Sequence, residues 1–281
     1  PTTYSRWDVA SDQSDVEHIL LPGYDSSLYM FGGGDSYAID ARGNTVAILI
    51  GGFGDPVSLW KSTDNGETWT YTDVDKLDYK GLVGAKAALA ANDTFDSNDG
   101  SLDVMIDASG TVHAFWGLSR AIGSVSETTG DTLFSGFVGS ASIMHWKEGD
   151  TEPRALGGAI DRDGNGVFDV NTETFASLDA NGNVPTNLLS AVRVGNTNLV
   201  TMPTASSDED GNLYVVYSAP VERAIHFLNA NFRNIFVMYS TDGGDNWSAP
   251  QNITQDGRVE SNFPCVAKDA NDFLHLVWQE D

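Results

Sequence analysis

Four ten-residue segments of this chain align with one another without a gap, and that internal repetition constrains the fold more than any other feature. Two are Asp40-Ala-Arg-Gly-Asn-Thr-Val-Ala-Ile-Leu49 and Asp107-Ala-Ser-Gly-Thr-Val-His-Ala-Phe-Trp116. The others are Asp208-Glu-Asp-Gly-Asn-Leu-Tyr-Val-Val-Tyr217 and Asp269-Ala-Asn-Asp-Phe-Leu-His-Leu-Val-Trp278. Each opens on Asp with a turn-prone x-Gly or Asn-Asp pair, then runs into β-branched and aromatic residues. That order predicts a hairpin turn feeding a buried strand. A weaker fifth copy starts at Asp161 (Asp-Arg-Asp-Gly-Asn-Gly-Val-Phe).

A second motif, Ser-x-Asp-x-Gly-x-x-Trp, follows two of the copies. It reads Ser62-Thr-Asp64-Asn-Gly66-Glu-Thr-Trp69 and Ser240-Thr-Asp242-Gly-Gly244-Asp-Asn-Trp247. Ser and Asp side chains can bond the backbone of their own turn, Gly supplies positive φ, and Trp packs between neighbouring sheets. These segments resemble the Asp-box (BNR) repeat of the sialidase-like β-propellers, where the box lies between the third and fourth strands of a blade. A degenerate version, Met144-His-Trp146-Lys-Glu-Gly149-Asp-Thr-Glu-Pro153, follows the second copy at a compatible position. The resemblance implies an all-β, closed β-propeller of four-stranded antiparallel blades, with Ser62, Asp64, Gly66, Trp69, Ser240, Asp242, Gly244 and Trp247 in structural roles.

The copies at 40, 107, 161, 208 and 269 are spaced by 67, 54, 47 and 61 residues, which fits blades carrying insertions. Five blades are expected, or six if another lies in 118–142 or 170–200. The last copy ends at Trp278, so its blade lacks two strands. Thr3-Tyr4-Ser5-Arg6-Trp7-Asp8 resembles Met238-Tyr239-Ser240-Thr241-Asp242, the strand entering the second box. N-terminal strands are therefore expected to complete the last blade and close the ring, which removes the exposed sheet edges that promote aggregation. Residues 1–281 read as a single propeller domain, either whole or excised from a longer surface protein. The main insertions are 121–140, rich in Gly, Ser and Thr, and 169–198; the best helical stretch, 85–91, is short.

With 15 basic residues against 40 acidic ones, the formal charge is −25. Such a field repels nucleic acid and anionic membranes, whose affinity depends on Lys and Arg contacts. No stretch approaches the roughly 20 apolar residues that span a bilayer. The one cysteine, Cys265, sits in an apolar strand and reads as a small buried hydrophobe. A secreted or cell-surface setting, bacterial and rich in cations, is the expectation.

The sharpest local motif is Asp161-Arg-Asp163-Gly-Asn165-Gly166-Val167-Phe-Asp169. Read as a calcium loop, it offers Asp161, Asp163, Asn165 and Asp169 as oxygen ligands, with the carbonyl of Val167 as a further one. It resembles the short calcium loops of dockerins and integrin-type propellers, although Thr172 stands where a Glu would close such a loop. The plainer reading makes Asp161 the start of a fifth hairpin. Asp93, Asp96, Asn98, Asp99 and Asp103 form a second acidic run, read as a solvated loop.

Sialidase chemistry would need an arginine triad, a Tyr–Glu nucleophile pair and an Asp acid/base. The Arg-Ile-Pro signature of that family is absent: Arg6 is followed by Trp-Asp and Arg42 by Gly-Asn. Arg120, Arg193, Arg233 and Arg258 are the remaining triad candidates, and nothing marks three of them out. His113 and His275 occupy one repeat-equivalent slot and read as packing between blades, while His145 and His226 have no partner motif. Most tryptophans read as core between blades, with one or two as sugar-stacking platforms. No nucleophile elbow, zincin motif or phosphate-binding glycine loop is present. The expectation is a non-catalytic module that binds a glycan or protein ligand. The alternative is a sialidase-like glycoside hydrolase using channel-face carboxylates, with no catalytic pair that the sequence singles out.

Overall fold

Each of the four repeat copies becomes the turn between the first and second strands of an antiparallel sheet. The structure, a computed structural model, describes residues 1–29, 36–76, 94–125, 132–137, 142–158, 200–225, 231–255 and 259–281. A first hairpin joins β1 (Tyr4–Asp8) to β2 (Gln13–Ile19). The second sheet runs in order β3 (Tyr37–Arg42), β4 (Thr45–Ile50), β5 (Val57–Ser62) and β6 (Thr70–Asp75). The third orders β7 (Thr94–Ile106), β8 (Val112–Val125), β10 (Ile143–Lys147) and β11 (Arg154–Gly157), and β9 (Thr132–Phe137) pairs with the far end of β8. The fourth runs β12 (Thr201–Ser207), β13 (Leu213–Ile225), β14 (Asn231–Ser240), β15 (Gln251–Asn252). A last hairpin pairs β16 (Ser261–Val266) with β17 (Leu276–Glu280). No helix among the described residues is long and apolar enough to cross a membrane.

Side-chain capture of the backbone makes these turns. Asp107 Oδ1 accepts the N–H groups of Ser109 and Thr111, both at 2.9 Å. Asp208 Oδ1 accepts the N–H of Asn212 at 2.8 Å, and its other oxygen takes the Asn212 amide and the Tyr214 hydroxyl. The strands that follow are buried as predicted in three copies: Leu49, Trp116 and Val215 are each 0% exposed. In the fourth copy Val277 is 65% exposed, because β16–β17 is a two-stranded sheet covered on one face only.

The sheets stack in sequence order, each contributing alternate residues to the layers on its two sides. Ile48, Ile50 and Trp60 face the first hairpin with Tyr4 and Leu21, whereas Leu49 and Leu59 face Val104, Ala114 and Trp116 of the third sheet. Phe115 and Met105 then meet Leu213, Val215 and Phe236 of the fourth. Val216 and Ile235 meet Val266 of the last hairpin. Burying one such side chain contributes on the order of 1.5–3 kcal/mol.

The first strands, β3, β7, β12 and β16, lie against one another in that order. Each would expose a free ladder edge, and on β7, β12 and β16 a side chain of the preceding sheet covers it. Asp40 Oδ2 accepts the N–H of Ile106 at 2.7 Å, Asp103 Oδ2 that of Ala205 at 2.7 Å, and Thr204 Oγ1 that of Val266 at 3.3 Å. The described residues thus hold four such first strands, and they do not settle the count of five blades expected. β7 and β12 are immediate neighbours, while the Asp161 copy lies outside the described residues. Its Asp-Gly signature is turn chemistry that a hairpin and a cation loop share, so it could not by itself count a blade.

Candidate functional site

The row of first strands presents two ends with different chemistry. At the end bearing the repeat turns, Arg42 pairs with Asp269, and its guanidinium donates 3.4 Å bonds to the Ile106 carbonyl and to Ser207 Oγ. One side chain therefore ties all four first strands or their turns. Further along, Lys268 donates to both carboxylate oxygens of Asp103, at 2.5 and 2.6 Å, and to the Val104 carbonyl. Cations matched by carboxylates stopper this end.

Polar side chains from four sheets converge at the opposite end. Asp55 sits in the turn joining β4 to β5, and Asn98 and Asp99 lie at a bulge of β7. Arg233 and Asn234 come from β14, and Ser261 and Asn262 open β16. All are buried, none more than 4% exposed. Asn98 Nδ2 donates to the Asp55 carbonyl at 2.9 Å, and Gly54 N–H donates to Ser97 Oγ at 2.8 Å. Asp99 Oδ1 accepts from Ser101 N–H and Oγ, and Ser101 Oγ reaches Thr201 Oγ1 at 3.0 Å. The Asp99 carboxyl lies so close to Gly117 that any Cβ there would fall within 2.6 Å of it. Glycine is the residue that admits this approach.

Arg233 is 1% exposed; its N–H donates to Glu260 Oε2 at 2.6 Å. Burial pulls its guanidinium down to about 10, while the charges of Glu260 and Asp99 push the other way. Ser261 Oγ and Asn262 Oδ1 are buried without a hydrogen-bond partner among the described residues. A register shift between Asn262 and Cys265 interrupts the alternation of β16 there. The end is thus a buried, hydrogen-bonded cluster of polar groups.

The two Ser-x-Asp-x-Gly-x-x-Trp segments lie between third and fourth strands, where expected, and build the same net. Ser62 Oγ donates to Asp64 Oδ1 at 2.7 Å and accepts from Gly66 N–H at 2.7 Å, and Trp69 Nε1 donates to the Gly66 carbonyl at 3.1 Å. Ser240, Asp242, Gly244 and Trp247 repeat these bonds at 2.8, 2.9 and 3.1 Å. Hydrogen bonds from Thr68 hold the Asp64 carboxyl down to about 2, and bonds from Asn246 do the same for Asp242. The degenerate segment also lies between third and fourth strands, with Trp146 Nε1 donating to the Asp150 carbonyl at 3.0 Å. Trp69 meets Tyr4 edge-on at 5.0 Å, and Trp247 meets His145 edge-on at 5.3 Å.

Of the other sequence expectations, the metal set Asp161, Asp163, Asn165, Val167 and Asp169 lies outside the described residues, as do Arg193 and Arg258. Arg120 is on β8, its backbone opposite Asp96. His113 is buried between sheets as expected, but His145 is no isolated residue: its Nε2 lies 3.0 Å from His113 Nδ1, and His113 Nε2 lies 3.3 Å from Asp107 Oδ2. Burial and the charges of His113, Arg154 and Lys147 hold the His145 imidazole well below its ordinary value. His275 and Cys265 are exposed rather than packed, since the half-sheet they sit on has one covered face. Of the acidic run, Asp93 lies outside the described residues and Asp96 is exposed, but Asn98, Asp99 and Asp103 are no solvated loop: they lie in strand β7, where Asp99 accepts from Ser101 and Asp103 from Ala205 and Lys268. The sequence signal for this end was the pair of turn-like runs Gly52-Phe-Gly-Asp55-Pro and Ser97-Asn-Asp-Gly100, each bordering a buried strand.

No family model matches the chain, and no curated protein matches it. Among solved structures it is similar to an ulvan lyase, a polysaccharide lyase, at a TM-score of 0.40 and 12% identity over 86% of this chain and 51% of that one. It is similar to an α-L-arabinofuranosidase from Fusarium graminearum at 0.39 and 13%, over 87% and 54%. A sialidase from Trypanosoma rangeli follows at 0.34 and 11%, over 94% and 35%. The chain spans about half the length of the first two. Likeness at this level concerns sheet architecture and does not reach the site.

Proposed function

We propose that the chain is a closed propeller of the Asp-box type, secreted or at a cell surface, that binds a glycan or protein ligand at the polar end of its axis. One observation carries this reading: Ser261 Oγ and Asn262 Oδ1 are buried without partners among the described residues, beside the Arg233–Glu260–Asp99 cluster. A buried polar atom left unsatisfied costs about 1–3 kcal/mol. A hydroxyl-bearing ligand seated there would offset that cost, and four sheets would hold the contacts rigid.

Two box contacts support ring closure. A Cβ on Gly66 would meet the Tyr4 hydroxyl at 2.4 Å, and one on Gly244 would meet His145 Cε1 at 2.9 Å. β1 therefore stands to the second sheet as β10, a third strand, stands to the fourth. In a closed ring, β16 and β17 would supply the first and second strands that β1–β2 lack. The surfaces left open match this reading. A cleft of about 600 Å³ lined by Tyr4, Tyr37, Ile39, Ile48 and Ile50 faces one way, and Phe263, Cys265 and Val277 are exposed on the last hairpin.

A hydrolytic reading is favoured by one feature, the burial of two carboxyl groups, Asp55 and Asp99, at the same end. Calcium in the Asp161 loop remains a proposal from its ligand spacing. Glycan-array binding followed by calorimetry tests the module, with turnover of each captured sugar assayed in parallel. Saturable binding without turnover, weakened by Asn262→Ala, is expected. Turnover abolished by Asp55→Asn or Asp99→Asn would replace the binding module with the hydrolase.

A further inference from the structure

Two histidine rings are buried between the third and fourth sheets, and their hydrogen bonds can run in one direction only. His113 and His145 are each 0% exposed, and their rings stack at 5.3 Å and 8°. Asp107 Oδ2 lies 3.3 Å from His113 Nε2, and a carboxylate only accepts, so that nitrogen carries the proton. The bare Nδ1 of His113 then accepts from His145 Nε2–H across 3.0 Å. His145 Nδ1 is left bare as well, and it is buried without a hydrogen-bond partner among the described residues. A bare nitrogen there strands no donor, whereas an N–H would.

A second proton finds no satisfied place on either ring. On His113 Nδ1 it would set two N–H groups against each other across 3.0 Å. His145 could yield only by moving its own proton to Nδ1, where no described group accepts it. On His145 Nδ1 it would make a buried cation with Arg154 opposite on β11 and Lys147 two residues on. The surrounding groups do not offset that charge. Lys147 pairs with Asp245, Arg154 Nη1 donates to the Asp245 carbonyl at 3.0 Å, and Asp242 is held by Ser240 within its own box. Met105 of β7 and Leu213 of β13 present apolar side chains, and Tyr214 is bonded to Asp208.

The pair also supports the second box. A Cβ on Gly244 would meet His145 Cε1 at 2.9 Å, and the His145 ring stacks on Phe115 at 4.8 Å and meets Trp247 edge-on at 5.3 Å. A ring that turns or takes on charge therefore presses on the fourth sheet. The first box offers a contrast within the same chain: Trp69 packs on Tyr4, a phenol that burial pushes further from neutrality.

We infer that Asp107, His113 and His145 form a pH-sensitive latch, which holds the second box on the third sheet while each ring carries one proton and releases it when a further proton enters. The opened form takes the extra proton and the latched form excludes it. The latch is therefore complete above the ordinary imidazole value, about pH 6.5, and weakens as pH falls.

The test uses the intact chain labelled with nitrogen-15 histidine. Imidazole nitrogen shifts near pH 7.5 should report the Nε2–H form for both rings; an Nδ1–H form or a cation on either would overturn the directed chain. Hydrogen-exchange protection, corrected for intrinsic rates, is then followed at both boxes down to about pH 5. Protection at 240–247 should fall by up to about tenfold per pH unit below about pH 6.5, while 62–69 keeps its protection. Equal change at the two boxes, or none at 240–247, would overturn the latch. Neither readout needs a substitution. Asp107→Asn adds a third, because its amide oxygen must keep the bonds from Ser109 and Thr111, which turns its NH2 toward His113 and reverses the chain. A folded Asp107→Asn protein should carry Nδ1–H on both rings, and unchanged tautomers would overturn the role given to Asp107.

Discussion

Replacing Gly244 by Ala separates two costs that the second box imposes at one position. Gly244 has φ 86°, in the left-handed region, where an L side chain costs roughly 1–2 kcal/mol. A Cβ at this site would also lie 2.9 Å from His145 Cε1 and 3.3 Å from Leu213 Cδ1. Both atoms belong to 0%-exposed side chains that cannot swing into solvent, so overpacking adds about 1–3 kcal/mol. Gly243 is the internal control: its φ is 67°, and a Cβ there meets nothing within 4 Å. Gly243→Ala should lose only the backbone part. Urea unfolding at neutral pH, followed by tryptophan fluorescence and extrapolated linearly, measures both variants on one scale. Gly244→Ala should cost at least about 1 kcal/mol more than Gly243→Ala. Equal losses would mean that the box does not press on the third sheet, and the stacking argument drawn from His145 and Tyr4 would fall.

The same interface should respond to pH. His145 is held neutral with its imidazole below the ordinary value, so the unfolded chain binds the extra proton first. Its contribution is complete above about pH 6.5 and is lost as pH falls, by up to about 1.4 kcal/mol per unit. Urea midpoints between pH 7 and 5 should fall in the wild type and fall less in His145→Phe; parallel slopes would refute this. Ring closure has a covalent test. Asp103 and Thr204, each four residues before a repeat Asp, accept from Ala205 and Val266, each three before the next. Continued once more, that step sets Cys265 against Tyr37. Tyr37→Cys should therefore form an intrachain disulfide with Cys265 under mild oxidation; two thiols left free in a folded monomer would exclude the closure. The Asp161 loop predicts a melting temperature that drops with EDTA and recovers with calcium, and an unmoved melt would reduce the loop to a turn.

The sheets were legible in the sequence because their signals are local. Asp107 and Asp208 close turns within four residues of themselves, and each box captures its own backbone. The polar end was not legible, because its residues are assembled across sheets. Asn98 and Asp99 read as a solvated acidic run, and contacts far along the chain hold them buried, Asn98 on the Asp55 carbonyl and Asp99 against Gly117. Arg42 shows the same limit: the sequence offers a turn arginine, and its partners lie 64, 165 and 227 residues away. His145 was missed for a related reason. Its partner His113 is 32 residues distant, and pairing of β8 with β10 brings the two together.

Hydrogen exchange of the intact chain with and without its best-bound saccharide tests the central claim most directly, because it reports where the ligand sits. New protection is predicted at residues 52–55, 97–101, 233–234 and 260–262, with the repeat turns at 42–44, 107–110 and 208–211 unchanged. Protection confined to those turns, or spread over outer strands such as β6 and β15, would contradict binding at the polar end of the axis.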